Sequence, residues 1–183
     1  MALHVSVHRR DPRRTEIGNS KASSMQSTHN TLSENIREHS VELLNKHLAA
    51  AIDLRGQLKQ AHWNVRGPTF IAVHELFDKV AADVLKYADM LAERAAGLGG
   101  IAEGTIQVAS ANSFLVPYPL RIADTKQHLF AVAAALAAFG QSVREAIGLA
   151  AKFGDADTSN LFTEISRGVD HQLWFVESHA APQ

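Results

Sequence analysis

The stretch HELFDKVAADVLKYADMLAE, residues 74–93, opens on His74 and Asp78 and closes on Asp89 and Glu93. Each pair is spaced i,i+4, which puts two side chains on one helix face a turn apart. Imidazole nitrogen and carboxylate oxygen at that spacing suit Fe(II), Mn(II) or Zn(II). The 183-residue chain has no cysteine, so a metal site here must use such donors. Disulfides, thiolate catalysis and cysteine-held iron–sulfur clusters are excluded on the same ground.

At about 100° per residue, with His74 set to zero, Asp78 falls near 40°, Asp89 near 60° and Glu93 near 100°. All four share a face, yet Asp78 and Asp89 stand roughly 16 Å apart along the helix axis. One chain cannot close that gap around one ion, but two chains can. His74 and Glu93 average to position 83.5, as do Asp78 and Asp89. Two copies of the helix packed antiparallel about a two-fold axis would bring His74 to Glu93 of the partner subunit and Asp78 to the partner subunit's Asp89. One self-complementary contact would then make two equivalent sites. Ala81, Ala82 and Leu85 are expected near the axis. The competing interpretation is an ordinary solvated face with i,i+4 charges.

These residues need long helices to hold them. Thr31 and Glu34 form a T-x-x-E capping box. Beyond it Ile36, Leu43, Leu44, His47, Ala51, Leu54 and Leu58 recur at three- and four-residue steps, predicting a helix to about residue 62. Gly67 and Pro68 end it, and Thr69 caps a second helix from Phe70 to about Leu98, closed by Gly99 and Gly100. The connection 99–123 is long enough that a short helix around 104–109 is expected within it. Asp124 with Gln127 opens a third helix, which stops near Phe153-Gly154. Asp157 or Thr158 caps a fourth, through Leu161, Ile165, Val169, Leu173 and Val176. Two helical hairpins joined by one long crossover define an all-α, ferritin-like four-helix bundle with a short extra helix between helices 2 and 3.

The composition agrees, with 46% apolar and 20% charged residues and abundant alanine. No uninterrupted apolar run approaches the roughly 18–20 residues that span a bilayer, so a soluble, cytoplasmic protein without a membrane partner is expected. The net charge of −1 is unevenly spread. Arg9, Arg10, Arg13, Arg14 and Lys21 face only Asp11 and Glu16 within residues 1–30, leaving that segment basic and the remainder acidic. Residues 1–30 lack helical or strand periodicity and are expected to be a disordered basic arm, with the bundle over 31–179 and a short tail over 180–183. Such an arm attracts polyanions.

KQAHWNVRGPTFIAVHELFD, residues 59–78, followed by DMLAERAAGLGG at 89–100, closely resembles the Dps family, the mini-ferritins or DNA-binding proteins from starved cells. The likeness continues through TIQVAS (105–110), YPL (118–120), VREAIG (143–148) and LWFVE (173–177). The resemblance implies a shell of twelve identical subunits that oxidises Fe(II), typically with hydrogen peroxide, stores ferric mineral and protects DNA. It also implies sites between two-fold-related subunits. His62, His74 and Asp78 would come from one chain and Asp89 and Glu93 from its mate, with Trp63 packing beside them. A ferritin centre within one bundle would need Glu-x-x-His on two helices. No Glu in this chain has a His three residues on.

Other residues carry weaker signals. Asp155 and Asp157 lie in the turn before the fourth helix, where the resemblance implies an acid-rich pore; solvation and capping are the plainer account. His39, His47, His128, His171 and His179 lack ligand-spaced partners and read as surface or satisfied helix histidines. The arginine-bearing arm is the candidate for binding DNA without sequence preference, because phosphate contacts carry none. An architectural, nucleoid-associated DNA-binding protein, with iron oxidation secondary, is therefore the alternative function.

Overall fold

A computed structural model of the chain describes residues 25–122 and 124–180. Five helices follow in order: α1 (Glu34–Asn64), α2 (Phe70–Gly97), α3 (Ile106–Asn112), α4 (Thr125–Phe153) and α5 (Ala156–Ala180). Among the described residues there is no strand. α1 packs along α2 and α4 along α5, each pair a helical hairpin, and the hairpins meet chiefly where α1 lies on α4. The crossover carries α3, which lies against α1. This is the ferritin-like four-helix bundle with an extra short helix in its crossover.

The core follows from the helical spacing of apolar residues. Leu44, Leu54 and Leu58 of α1, Phe77 and Leu91 of α2, Leu136 and Phe139 of α4, and Phe162 and Ile165 of α5 are all fully buried. α4 is the one described helix long and apolar enough to meet a membrane-crossing test. Its Leu129, Val132, Leu136, Phe139 and Val143 nevertheless pack into the bundle core. His47 is buried among Phe114, Phe139 and Phe162, with Nδ1 at 2.8 Å from the Leu43 carbonyl and Nε2 at 3.0 Å from the Ser142 hydroxyl. Both ring nitrogens are satisfied, and burial holds its pKa below the ordinary histidine value.

The helix ends differ from expectation in instructive ways. α1 is capped by Ser33, whose hydroxyl accepts from the Ile36 amide, and not by Thr31. The Asn30 side chain instead takes the Leu32 amide at 3.0 Å, turning the chain before the helix begins. Thr69 makes no side-chain cap; the Phe70 amide goes to the Gly67 carbonyl at 3.0 Å. α3 starts at Ile106, because the Thr105 hydroxyl accepts from Val108 and fixes the start there. Asp124 caps α4 as expected, accepting from Lys126. α4 ends on Gly154 at φ +90°, a left-handed position suited to glycine, with the Asp155 amide returning to the Ala150 carbonyl at 3.0 Å. At α5 the capping role falls to Asp155, which takes the Thr158 amide at 3.0 Å and its hydroxyl at 2.6 Å, and not to Asp157 or Thr158.

Residues 25–32 are strapped to the far end of α2. The Gln26 amide donates to the Gly99 carbonyl at 2.6 Å, and Arg37 donates to the Leu98 carbonyl at 2.8 Å and the Leu32 carbonyl at 3.3 Å. Arg37 thus satisfies an end-of-helix carbonyl of α2 and holds the strap with the same guanidinium. Arg9, Arg10, Arg13, Arg14 and Lys21 lie outside the described residues.

Candidate metal centre

The α1–α2 turn brings the end of one helix beside the start of the next, and so sets His62 against His74. Their rings stack with centroids 3.7 Å apart and planes at 22°. Nδ1 of His62 lies 2.8 Å from the His74 carbonyl, and Nδ1 of His74 lies 2.8 Å from the His62 carbonyl. Each carbonyl can only accept, so each Nδ1 carries the proton and each Nε2 keeps its lone pair. A backbone carbonyl on one ring nitrogen is what fixes a histidine as a ligand through the other. The Phe70 ring also lies against His74, with centroids 4.9 Å apart and planes tilted by 37°.

Asp78 lies one turn beyond His74 and is exposed, with its Oδ1 2.6 Å from the ammonium of Lys59. The hydrogen bond from Lys59 is the chief reason its carboxyl sits below the usual range, with the Lys59 charge adding to it. Lys59 also lies over Trp63, 5.8 Å from the ring centroid. Lys59 is the neighbour that inspection for ligand types missed. It stands one turn before His62 in KQAH, which places it on the same flank of α1.

Asp89 and Glu93 stand further along α2, both exposed. The described residues of one chain bring no three His, Asp or Glu side chains together in a metal-holding cluster. What the chain presents is an imidazole pair with Asp78 at one end of a helix face and a carboxylate pair at the other. Between and beside them lie Ile71 at 61% exposed, Leu85 at 50%, and the exposed Ala82. Trp63, on α1, is 66% exposed. An apolar strip rimmed by charges is the composition of an interaction surface. Ala81, expected on this strip, is instead 2% exposed and part of the core with Phe77 and Val84. It lies at the edge of the stripe where ligand face and core face meet.

The acids of the α4–α5 turn separate. Asp155 is 1% exposed, and its Oδ1 takes the Arg94 guanidinium at 2.7 Å. Burial alone would raise its pKa; the hydrogen bonds from Thr158 and the Arg94 charge outweigh that and lower it. Its carboxylate is committed inside the subunit, while Asp157 is exposed in the first turn of α5. Arg94, tying α2 to this turn, had no distinguishing mark in the sequence beyond the ERAAGLGG context.

Residues 41–181 match the ferritin-like domain family, so by fold the chain is a ferritin-like protein. It is 40% identical over 152 residues to a DNA protection during starvation protein of Agrobacterium fabrum, covering 83% of this chain and 94% of that one. Among solved structures it is similar to DpsA14 from Streptomyces coelicolor, with a TM-score of 0.80 and 34% identity over 85% of this chain and 92% of that one. It is likewise similar to Dps from Microbacterium arborescens in its high iron form, with a TM-score of 0.77 and 30% identity over 83% of this chain and 99% of that one. The chain belongs to the Dps family.

Proposed function

We propose that this protein is an iron-oxidising, iron-storing cage that protects DNA, built from twelve copies of the chain with a ferroxidase site at each two-fold contact. The observation that carries this is the single exposed face of α2, on which the His74–Asp78 and Asp89–Glu93 pairs are symmetric about one midpoint. Antiparallel pairing on the apolar strip would complete a site from His62, His74 and Asp78 of one chain and Asp89 and Glu93 of the other, with Trp63 beside it. The donor set fits Fe(II) as substrate, and Zn(II) or Mn(II) as competitors for the same site.

In this mechanism the two Nε2 atoms, held outward by the reciprocal carbonyl bonds, bind Fe(II). Carboxylates from both subunits balance its charge and favour the ferric state. With hydrogen peroxide as oxidant, two Fe(II) ions give up one electron each and two protons are taken up. The products are two Fe(III) ions and two water molecules. Asp157, exposed near the strapped end of the bundle, would draw Fe(II) inward by its charge. The high iron form of the Microbacterium arborescens relative and the DNA-protection name of the Agrobacterium fabrum relative support this assignment, as does the ligand geometry.

A second activity is favoured by the charge of the arm. Arg9, Arg10, Arg13, Arg14 and Lys21, repeated around a shell, would bind DNA through many weak phosphate contacts and place the protein at the cytoplasmic nucleoid. Anaerobic Fe(II) addition followed by stoichiometric peroxide tests the first activity, and DNA retardation tests the second. Deleting residues 1–24 is expected to end retardation and spare iron oxidation, with Asp89→Ala/Glu93→Ala doing the reverse in an assembled shell. Oxidation equally slow with and without Asp89 and Glu93 would leave the architectural DNA-binding alternative in place.

A further inference from the structure

Tyr118 lies in the crossover and His128 in the first turn of α4, and neither belongs to the iron site. The phenol oxygen is 2.6 Å from Nδ1 of the imidazole, and the rings lie 18° from parallel with centroids 6.2 Å apart. His128 is 1% exposed. With the phenol donating to Nδ1, the proton of the neutral ring sits on Nε2. Burial holds the imidazole below the usual histidine range and pushes Tyr118 up to about 12, so the phenol keeps its proton and the base beside it is vacant. The phenol also lines an apolar groove of about 190 Å³ with Pro117, Pro119, Ala131 and Ala135.

The pair is placed close to the iron ligands. His47 meets Ser142 and Arg66 meets Thr125, so α1 and α4 run antiparallel in a register that sets His128 level with His62. His62 and His128 thus sit at the same level of two helices that pack on each other. A phenol that loses an electron while keeping its proton becomes a strongly acidic cation, which makes that route unfavourable. A base already hydrogen-bonded to the hydroxyl removes the obstacle. The other tyrosine, Tyr87, has Asp83 and Glu164 nearby but no hydrogen-bonded base among the described residues.

We propose that Tyr118 and His128 form a proton-coupled one-electron donor that quenches the hydroxyl radical released, together with hydroxide, when a neighbouring site holding a single Fe(II) gives hydrogen peroxide one electron instead of two. The electron leaves the phenol and reduces the radical to hydroxide, which solvent protonates to water. The phenolic O–H bond breaks and its proton passes to Nδ1, leaving a neutral tyrosyl radical beside an imidazolium. A further Fe(II) returns the electron and becomes Fe(III), while the imidazolium returns the proton. The inference rests on the iron–peroxide assignment for the source of its oxidant.

The test is freeze-quench electron paramagnetic resonance on the assembled full-length protein, loaded anaerobically with Fe(II) and mixed with peroxide. The wild type is expected to show a tyrosyl signal whose g tensor reports a strong hydrogen bond to the phenoxyl oxygen. Tyr118→Phe should lose that signal, and His128→Gln should retain a weaker one with a shifted g tensor. A Tyr–His contact that only held the crossover in place would move neither. Azidyl radical, generated by radiolysis of azide solution, oxidises tyrosine without iron and serves as the second arm. A signal surviving Tyr118→Phe, or a g tensor indifferent to His128→Gln, overturns the proposal. If azidyl yields the Tyr118 radical but no iron is oxidised, the iron assignment fails and the donor pair stands. If iron is oxidised quickly and neither oxidant yields that radical, the donor pair fails and the iron assignment stands.

Discussion

Lys59→Met should tighten Fe(II) binding, although it removes a polar residue from beside the ligands. The ammonium lies 2.6 Å from Asp78 Oδ1, so an incoming ion must displace it. The pair is partly solvated, with Asp78 58% exposed, so the contact contributes no more than ~1 kcal/mol. Removing a unit positive charge ~5 Å from a divalent ion adds about 1.7 kcal/mol in a water-like dielectric, less with salt screening. Together these predict roughly 2 kcal/mol, or about 30-fold tighter binding. Methionine keeps most of the aliphatic stem against Trp63, so packing is little changed. Anaerobic titration calorimetry of wild type and variant, both confirmed as assembled, reads the difference directly. The salt dependence should also flatten in the variant. Unchanged or weaker Fe(II) binding by Lys59→Met would refute the view that Asp78 is a ligand held in reserve by Lys59.

Three other outcomes follow from the same geometry. Asp155→Ala removes the α5 cap and leaves the Arg94 guanidinium half-paired, which should lower stability by about 3–4 kcal/mol in urea unfolding at fixed subunit concentration. Because the folded-state pKa of Asp155 is lowered, its contribution is present above the ordinary carboxylate range, near pH 4, and is lost as pH falls through the folded value. His47 acts at higher pH: with its folded pKa lowered by burial, stability should fall as pH drops below about 6.5, and His47→Gln should shrink that step in a pH series of melting curves, with buried His128 supplying the remainder. Leu85→Glu places two like charges near the proposed two-fold axis and should shift assembly toward smaller species by analytical ultracentrifugation, with circular dichroism unchanged.

The four long helices were legible because each carries an amphipathic repeat bounded by Gly, Pro or a capping side chain. The ends were less so, since Thr31, Ser33, Asp155, Asp157 and Thr158 are all competent caps by type. Which one acts depends on where the neighbouring helix stops and what it brings. Asp155 became the cap once the left-handed Gly154 turned it inward onto Arg94 of α2, a contact 61 residues away in the chain. Ala81 shows the same limit, because small angular differences decide between strip and core for a residue at the boundary. The His74–Asp78 and Asp89–Glu93 pairs could be found from periodicity alone. The stacking of His62 on His74 could not, because it arises from the α1–α2 turn, and neither could Lys59, whose importance lies in the carboxylate it meets.

The central claim is that each iron site is shared by two chains, and mixing subunits tests it most directly. His74→Ala/Asp78→Ala chains and Asp89→Ala/Glu93→Ala chains, each inactive alone, are co-assembled in equal amounts and assayed for peroxide-driven Fe(II) oxidation. At random pairing half the two-fold contacts are mixed and each restores one of its two sites, so about one quarter of wild-type activity should return. Mixed shells as inactive as their parents would contradict the account, since that is the outcome of sites completed within single chains.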